Sequence, residues 1–311
     1  MKNILNRREA LKTMALAAGA ASVGLPEAFA KRLPASKIKI GHTCITWGTF
    51  PLRPGTHDHT LDGALKDISA EGFWNFETFI DDIVDWDQRG QLQPLIDQYN
   101  VPLLSAYTAV DVLNPANRQS EVARLKQQCQ VVKKYKGSYI VLQVNHINPA
   151  NYDFKQYRSD IVAGLNDYAA VITDQGLSCG LHQHTSTAVE HRDEVYAVME
   201  AVNTRNMKFA PDIGQLQKGG ADPVQVCKDF LSLITHMHLK DYKGWQWYEG
   251  YSPLGMGKVD IPAILAMMEK KGLETGIMVE LDPSKNGPMT PLETEKISKA
   301  YLVKRGFKFR S

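Results

Sequence analysis

Eight short β-rich runs begin near Ile38, Phe73, Pro102, Ser138, Ser178, Met207, Thr235 and Gly276. The seven intervals between them average 34 residues, room for one strand, one helix and two loops. Helix signals fill the gaps. Asn114-Pro115 supplies an N-cap followed by a Pro at the first helical position, and Val122, Leu125, Cys129 and Val132 then recur at helical spacing. Ile161, Leu165, Tyr168 and Ile172 repeat the pattern, Asp222-Pro223 and Asp260 open two later helices, and Thr290-Pro291 with Glu293 has the spacing of a capping box. Strand and helix alternating eight times without a linker predict one α/β domain, a (β/α)8 barrel of the TIM type over residues 31–311. An open doubly wound sheet is the rival, but no Gly-x-Gly-x-x-Gly follows the first strand.

Charge narrows the partners. Of 36 Lys and Arg and 34 Asp and Glu, four and two fall within residues 1–30, so the remainder of the chain is formally neutral. A neutral body excludes non-specific nucleic-acid binding, which needs an excess of cations. The four cysteines are too few and too scattered for a disulfide scaffold. Residues 1–30 read as an address: Arg7-Arg8, a mild apolar run from Thr13 to Leu25, and a small-x-small site at Ala28-Phe29-Ala30. The Arg pair resembles a twin-arginine export signal, which implies the export machinery as a partner and a periplasmic or exported body. The run is too short to span a bilayer, so no stable membrane insertion is expected. The oligomeric state stays open.

Ionisable residues at the ends of barrel strands need a reason, because a barrel interior is ordinarily apolar. Five of nine histidines lie between positions 182 and 238. With a side-chain period of two, His182 and His184 share a face on the fifth strand, as do His236, His238 and Lys240 on the seventh. The sixth strand ends on Asp212 and the eighth on Glu280. Four consecutive strands thus deliver imidazole or carboxylate to one end of the barrel, a donor set suited to one divalent cation such as Mn, Co, Zn or Mg. Glu77 closes the second strand, either as a base or as the acid that starts a helix. Trp47, His146 and Trp245 are candidates for substrate contact. The aromatic loop from Trp245 to Tyr251 either stacks on a sugar or plugs the barrel.

The segments His-Met-His-Leu-Lys-Asp (236–241), Pro-Leu-Gly-Met-Gly-Lys-Val-Asp (253–260) and Ile-Met-Val-Glu-Leu-Asp (277–282) resemble the C-terminal signature of the xylose-isomerase-like barrel superfamily. Gly41 to Trp47 is similar to the first strand of its inosose-dehydratase-like members. The resemblance implies a metal held by His182, Asp212, His238 and Glu280. It also implies Lys240 facing a small sugar or glycoside. Beside it, the strand-end positions of His184 and His236 make them candidates for substrate contact, and Glu280, Glu77 and Lys240 are the candidates for the chemistry. The implied function is a metal-dependent sugar isomerase or epimerase that removes a proton next to a metal-bound carbonyl and passes through an enediolate. A lyase or dehydratase acting on a keto-sugar, inosose or 3-keto-glycoside is the alternative, and a non-catalytic carbohydrate-binding barrel the rival from another class. Two positions depart from the epimerase pattern: His182 stands where a Glu is usual, and Gln215 where a His is usual.

Overall fold

The strands form at the apolar runs. In chain order they are β1 (Ile40–Thr43), β2 (Phe76–Phe79), β3 (Leu103–Val110), β4 (Tyr139–Val144), β5 (Ser178–His182), β6 (Met207–Phe209) and β7 (Met237–Leu239). A hairpin of β8 (Asp241–Tyr242) and β9 (Tyr251–Ser252) follows, then β10 (Ile277–Val279). The computed structural model describes residues 36–53 and 55–311, so the expected export signal lies outside the described residues. Eight strands make one parallel sheet in the order β6-β5-β4-β3-β2-β1-β10-β7. Its two edges meet through the isolated parallel bridges Phe209–Ile234 and Asp212–His238, which close the α/β barrel.

Among the described residues there are ten α-helices, not eight. The second and sixth units each split theirs, into Ile80–Gln88 with Leu92–Tyr99 and Ile213–Lys218 with Pro223–Asp229. Helix starts follow the sequence signals: Asp222 accepts from the Val224 amide, and Thr290 with Glu293 forms a complete capping box. No described helix is long and apolar enough to cross a membrane.

Period-two alternation sorts the strand residues. Cys179, Leu181, Met207, Phe209, Met237, Leu239, Ile277 and Val279 join the large core beneath the helices. Tyr139, Val141 and Ala210, with Tyr107, form a separate small apolar cluster on the opposite strand faces. The strand ends inside the barrel also carry buried polar groups, among them Glu77, His182, His238, Lys240 and Glu280, which is what gives this fold a site.

The glycine-rich stretch after β7 is more than a loop. It wraps the Asp241 carboxylate, which accepts from the backbone amides of Gly255, Gly257 and Val259. A Cβ at Gly257 would lie 2.1 Å from Asp241 Oδ1, so the close approach requires glycine.

Candidate active site

Strand ends bring the donors together. His182 (β5), Asp212 (after β6) and His238 (β7) each place one ligating atom within 4.8 Å of the others, all buried. His182 Nε2 is buried without any polar partner among the described residues, whereas Asp212 Oδ2 meets Lys240 Nζ at 3.1 Å and His238 Nδ1 meets Glu280 Oε2. Orphaned polar atoms this deep are costly unless something satisfies them. Glu280 completes the group, its Oε2 2.9 Å from His238 Nδ1. Two imidazole nitrogens and two carboxylates converging here, with His182 Nε2 left unsatisfied, fit a divalent cation.

The tautomers are set from behind. His182 Nδ1 lies 3.0 Å from the Ala210 carbonyl, which can only accept, so Nδ1 carries the proton and Nε2 keeps its lone pair. His238 Nε2 sits 2.5 Å from Glu77 Oε1, which likewise leaves Nδ1 facing the donor cluster. Glu77 is itself fully enclosed, 2.8 Å from His236 Nε2 and 2.5 Å from the Ser105 hydroxyl. Its strand-end position allows Glu77 to be a base or a helix-start acid; the structure ties it to two histidines. It contacts the cavity, but its oxygens are already engaged.

Lys240 is the central cation of the chain itself. Its Nζ lies 2.6 Å from Glu280, 2.7 Å from Asp282 and 3.1 Å from Asp212, with no solvent exposure. Gly214 lets its stem pass, since a Cβ there would come 2.7 Å from Lys240 Cγ.

Burial penalises every charge in this cluster, and the partners decide the outcome. Against burial, the surrounding carboxylates hold the Lys240 ammonium well above its ordinary range. Against burial again, His238 and Lys240 hold Glu280 well below the usual carboxylate range, and His238 and His236 hold Glu77 low. Glu280 and Glu77 push His238 up despite its burial. Burial raises Asp212, with Lys240 opposing. His182, with burial and the neighbouring His238 both acting against its cation, is pushed well down and stays neutral.

Above the donors opens a cavity of about 280 Å³ whose lining includes Glu77, His146, His182, His184, Glu280 and Asp282. His184 accepts from Gln215 Nε2 at 2.6 Å and donates to the Thr185 carbonyl at 2.8 Å, and burial with Lys240 nearby pushes it down to about 4. Gln215 therefore orients His184. His146 is joined to Gln143 at 2.9 Å.

Four expected contacts do not line this cavity, Lys240 among them because its carboxylates enclose it. Trp47 turns its indole to Asp67 at 2.8 Å. Trp245 packs with Trp247 and Tyr248, its indole bonded to the Tyr251 carbonyl, so the aromatic loop buttresses the β8–β9 hairpin. His236 lies deeper, stacked 4.7 Å from Tyr139. Conversely, Phe50, Pro51, Phe79, Tyr107, Glu249 and Asp282 contribute to the lining and were not singled out. Phe79 and Asp282 had a usable signal, each two residues beyond a chosen carboxylate on the same strand face. Glu249 had none: it reaches the cavity through consecutive left-handed residues, Tyr248 (φ 50°) and Glu249 (φ 54°).

Comparison with known proteins agrees with this architecture. Residues 65–300 match the family described as xylose isomerase-like TIM barrel. An inosose dehydratase of Clostridium botulinum (strain Alaska E43 / Type E3) is 21% identical over 280 residues, covering 81% of this chain and 93% of the relative. The probable 3-DHS dehydratase AsbF of Bacillus anthracis superposes with a TM-score of 0.69 at 14% identity, over 86% of this chain and all of its own. The IOLI protein with a bound zinc atom gives a TM-score of 0.69 at 17% identity, over 86% of this chain and 98% of its own. At such identities the two structures speak for the fold alone.

Proposed function

This chain belongs to the xylose isomerase-like TIM-barrel family, and we propose that within it the protein is a divalent-metal-dependent lyase that eliminates a substituent from a sugar-like ketone. A cation held by His182, Asp212, His238 and Glu280 would polarise a carbonyl oxygen and acidify the adjacent C–H. Glu280 takes that proton. It lines the cavity and is held ionised, and its Oε1 lies 2.6 Å from Lys240 Nζ. With His238 Nδ1 taken up by a cation, the Glu280 Oε2 would be released from its contact there, a release not open to Glu77 between His236, His238 and Ser105. Lys240 keeps Glu280 and Asp282 in place and puts positive charge beneath the reacting end of the substrate. His184, neutral and locked by Gln215 and Thr185, shapes the pocket and leaves the proton transfer to Glu280.

The carrying observation is the imidazole at β5. Inverting a carbon through two bases needs a second free carboxylate among the donors, and His182, with Nδ1 committed to Ala210, offers none. Glu77 is committed to His236, His238 and Ser105, and Asp282 leaves the same strand end as Glu280. One carboxylate suffices for elimination. Glu280 takes the proton, the C–H electron pair becomes the C=C bond as the β C–O bond breaks, and the same carboxyl returns its proton to the departing oxygen, so water or an alcohol leaves. The dehydratase relative supports this reading. Epimerisation or isomerisation is the second reading, supported by the sequence signature in 236–282.

Incubating cation-loaded protein with an inosose and with a keto-glucoside in deuterated water tests the assignment. The expected result is an unsaturated product lacking the β-substituent, formed by the wild type and lost in Glu280→Gln. A saturated product of unchanged composition, deuterated at the carbon next to the carbonyl, would overturn elimination in favour of epimerisation. Full turnover in Glu280→Gln would remove Glu280 from the mechanism.

A further inference from the structure

The donor cluster accounts for one side of the cavity, and the opposite side is built from different material. Phe50, Pro51, Phe79 and Tyr107 form an apolar wall. The rings are continuous: Phe50 to Phe79 is 6.4 Å between centroids, Phe79 to Tyr107 is 5.1 Å, and Tyr107 to His182 is 5.4 Å. The ladder therefore runs from the mouth to the metal-ligating imidazole. Phe50 stands at its outer end and is 50% exposed, which is unusual for so large an apolar side chain on a mostly well-packed surface.

The cavity also lacks a partner for an anion. Among the described lining residues there is no Lys or Arg, and Glu249 and Asp282 add negative charge. Near the mouth Lys218 is 3.6 Å from Glu249, and Lys240 lies beneath, enclosed by three carboxylates. Four carboxylates (Glu77, Asp212, Glu280 and Asp282) face Lys240 and a divalent cation, with His238 neutral as a ligand, so the loaded centre keeps about one excess negative charge. A phosphate or carboxylate on the substrate would be desolvated there without compensation.

We propose that the cavity takes an uncharged keto-glycoside, its sugar ring over the donor cluster and an apolar, preferably aromatic, aglycone along Phe50, Phe79 and Tyr107, and that it rejects phosphorylated sugars. This deepens the lyase reading and rests on it for where the sugar ring sits. The flat faces of Phe50 and Phe79 offer an aryl group offset-stacked or edge contacts that a methyl group cannot make.

Calorimetric titration of the Mn²⁺-loaded full chain tests this with phenyl β-D-glucopyranoside, methyl β-D-glucopyranoside and glucose 6-phosphate, none of which carries the ketone needed for turnover. Phenyl glucoside should bind about tenfold tighter than methyl glucoside, an aromatic-contact difference of plausible size. Phe50→Ala and Phe79→Ala should each erase most of that preference while leaving methyl glucoside binding within about twofold. Equal affinity for the two glucosides, tighter binding of glucose 6-phosphate, or no binding of any of the three would overturn the proposal. So would an equal loss for both glucosides in the Phe variants. Failure of the lyase reading is seen elsewhere, in the product composition of the deuterium experiment, which does not depend on the aromatic wall.

Discussion

Glu280 and Glu295 are both buried carboxylates, and the fold treats them in opposite ways. Glu280, at the end of β10, meets His238 and Lys240 and stays ionised despite its burial. Glu295, in the outer helix Pro291–Val303, is 1% exposed with neither oxygen hydrogen-bonded. Burial pushes it up to about 9, with Glu71 and Asp67 adding to the effect. The nearest ammonium groups, Lys299 and Lys296, are turned to Glu71 at 3.1 and 3.8 Å. Burial alone therefore does not set the proposed base, Glu280, apart from Glu295. What marks Glu280 is the presence of built-in cations that keep it charged where water is excluded.

The strongest way to break this contrast is to neutralise each acid in turn. Glu280→Gln should lower turnover by about 10²–10⁴ and remove most of the cation from purified protein. Glu295→Gln should leave both within about twofold, because it touches neither donors nor cavity. Metal analysis and rates on the two variants decide it, and equal losses would dissolve the distinction.

Removing the cation at the centre comes next. Lys240→Met leaves three buried carboxylates without their ammonium, a change that typically costs about 3–5 kcal/mol. Denaturant unfolding in chelator should show that loss. Added Mn²⁺ should restore much of it and bind more tightly than to wild type, since Lys240 no longer competes for Asp212 and Glu280. Unchanged unfolding in chelator would mean the carboxylates accept protons instead.

A smaller effect separates ligands from the residue behind them. Glu77→Gln should weaken cation binding by about 10–100-fold with the fold intact, because Glu77 fixes the His238 tautomer. Unaltered affinity would show that packing against Tyr107, 6.2 Å away and nearly parallel, holds the ring by itself.

The remaining test concerns pH, and its sign follows from Glu295. Its folded value, about 9, lies above that of an unfolded Glu, so the native state holds the extra proton in between. Its contribution to stability is full below the unfolded value and disappears as pH rises toward 9. Thermal melts should fall between about pH 6 and pH 9 more steeply in wild type than in Glu295→Gln. Glu280 works the other way: held low, it contributes above the usual carboxylate range and loses that contribution on acidification. A Glu295→Gln profile that parallels wild type would show that Glu295 is ionised after all.

Much of the architecture was legible because it is local. Apolar runs placed all eight barrel strands close to their observed starts, and Asp222 and Thr290 cap helices where their side chains reach the next amides. The split helices were not anticipated. Neither was the β8–β9 hairpin, whose pairing follows a chain reversal through left-handed Tyr248, Glu249 and Gly250. The rim aromatics stayed open between two roles for a related reason: composition alone cannot say whether Trp245 points into a cavity or onto Tyr248, where the structure packs it.

By itself, the sequence determined which residues share a strand face. The pleat turns alternate side chains to opposite sides, so His182 with His184, and His236 with His238 and Lys240, were bound to point together. Tertiary structure alone decided what each atom meets. Glu77 reaches His238 across 161 residues of chain, the Ala210 carbonyl selects the free nitrogen of His182, and Phe50 arrives from a loop to complete the aromatic wall. Facing is a property of the local backbone, whereas ionisation, tautomer and cavity shape depend on groups that only closure of the barrel brings within reach.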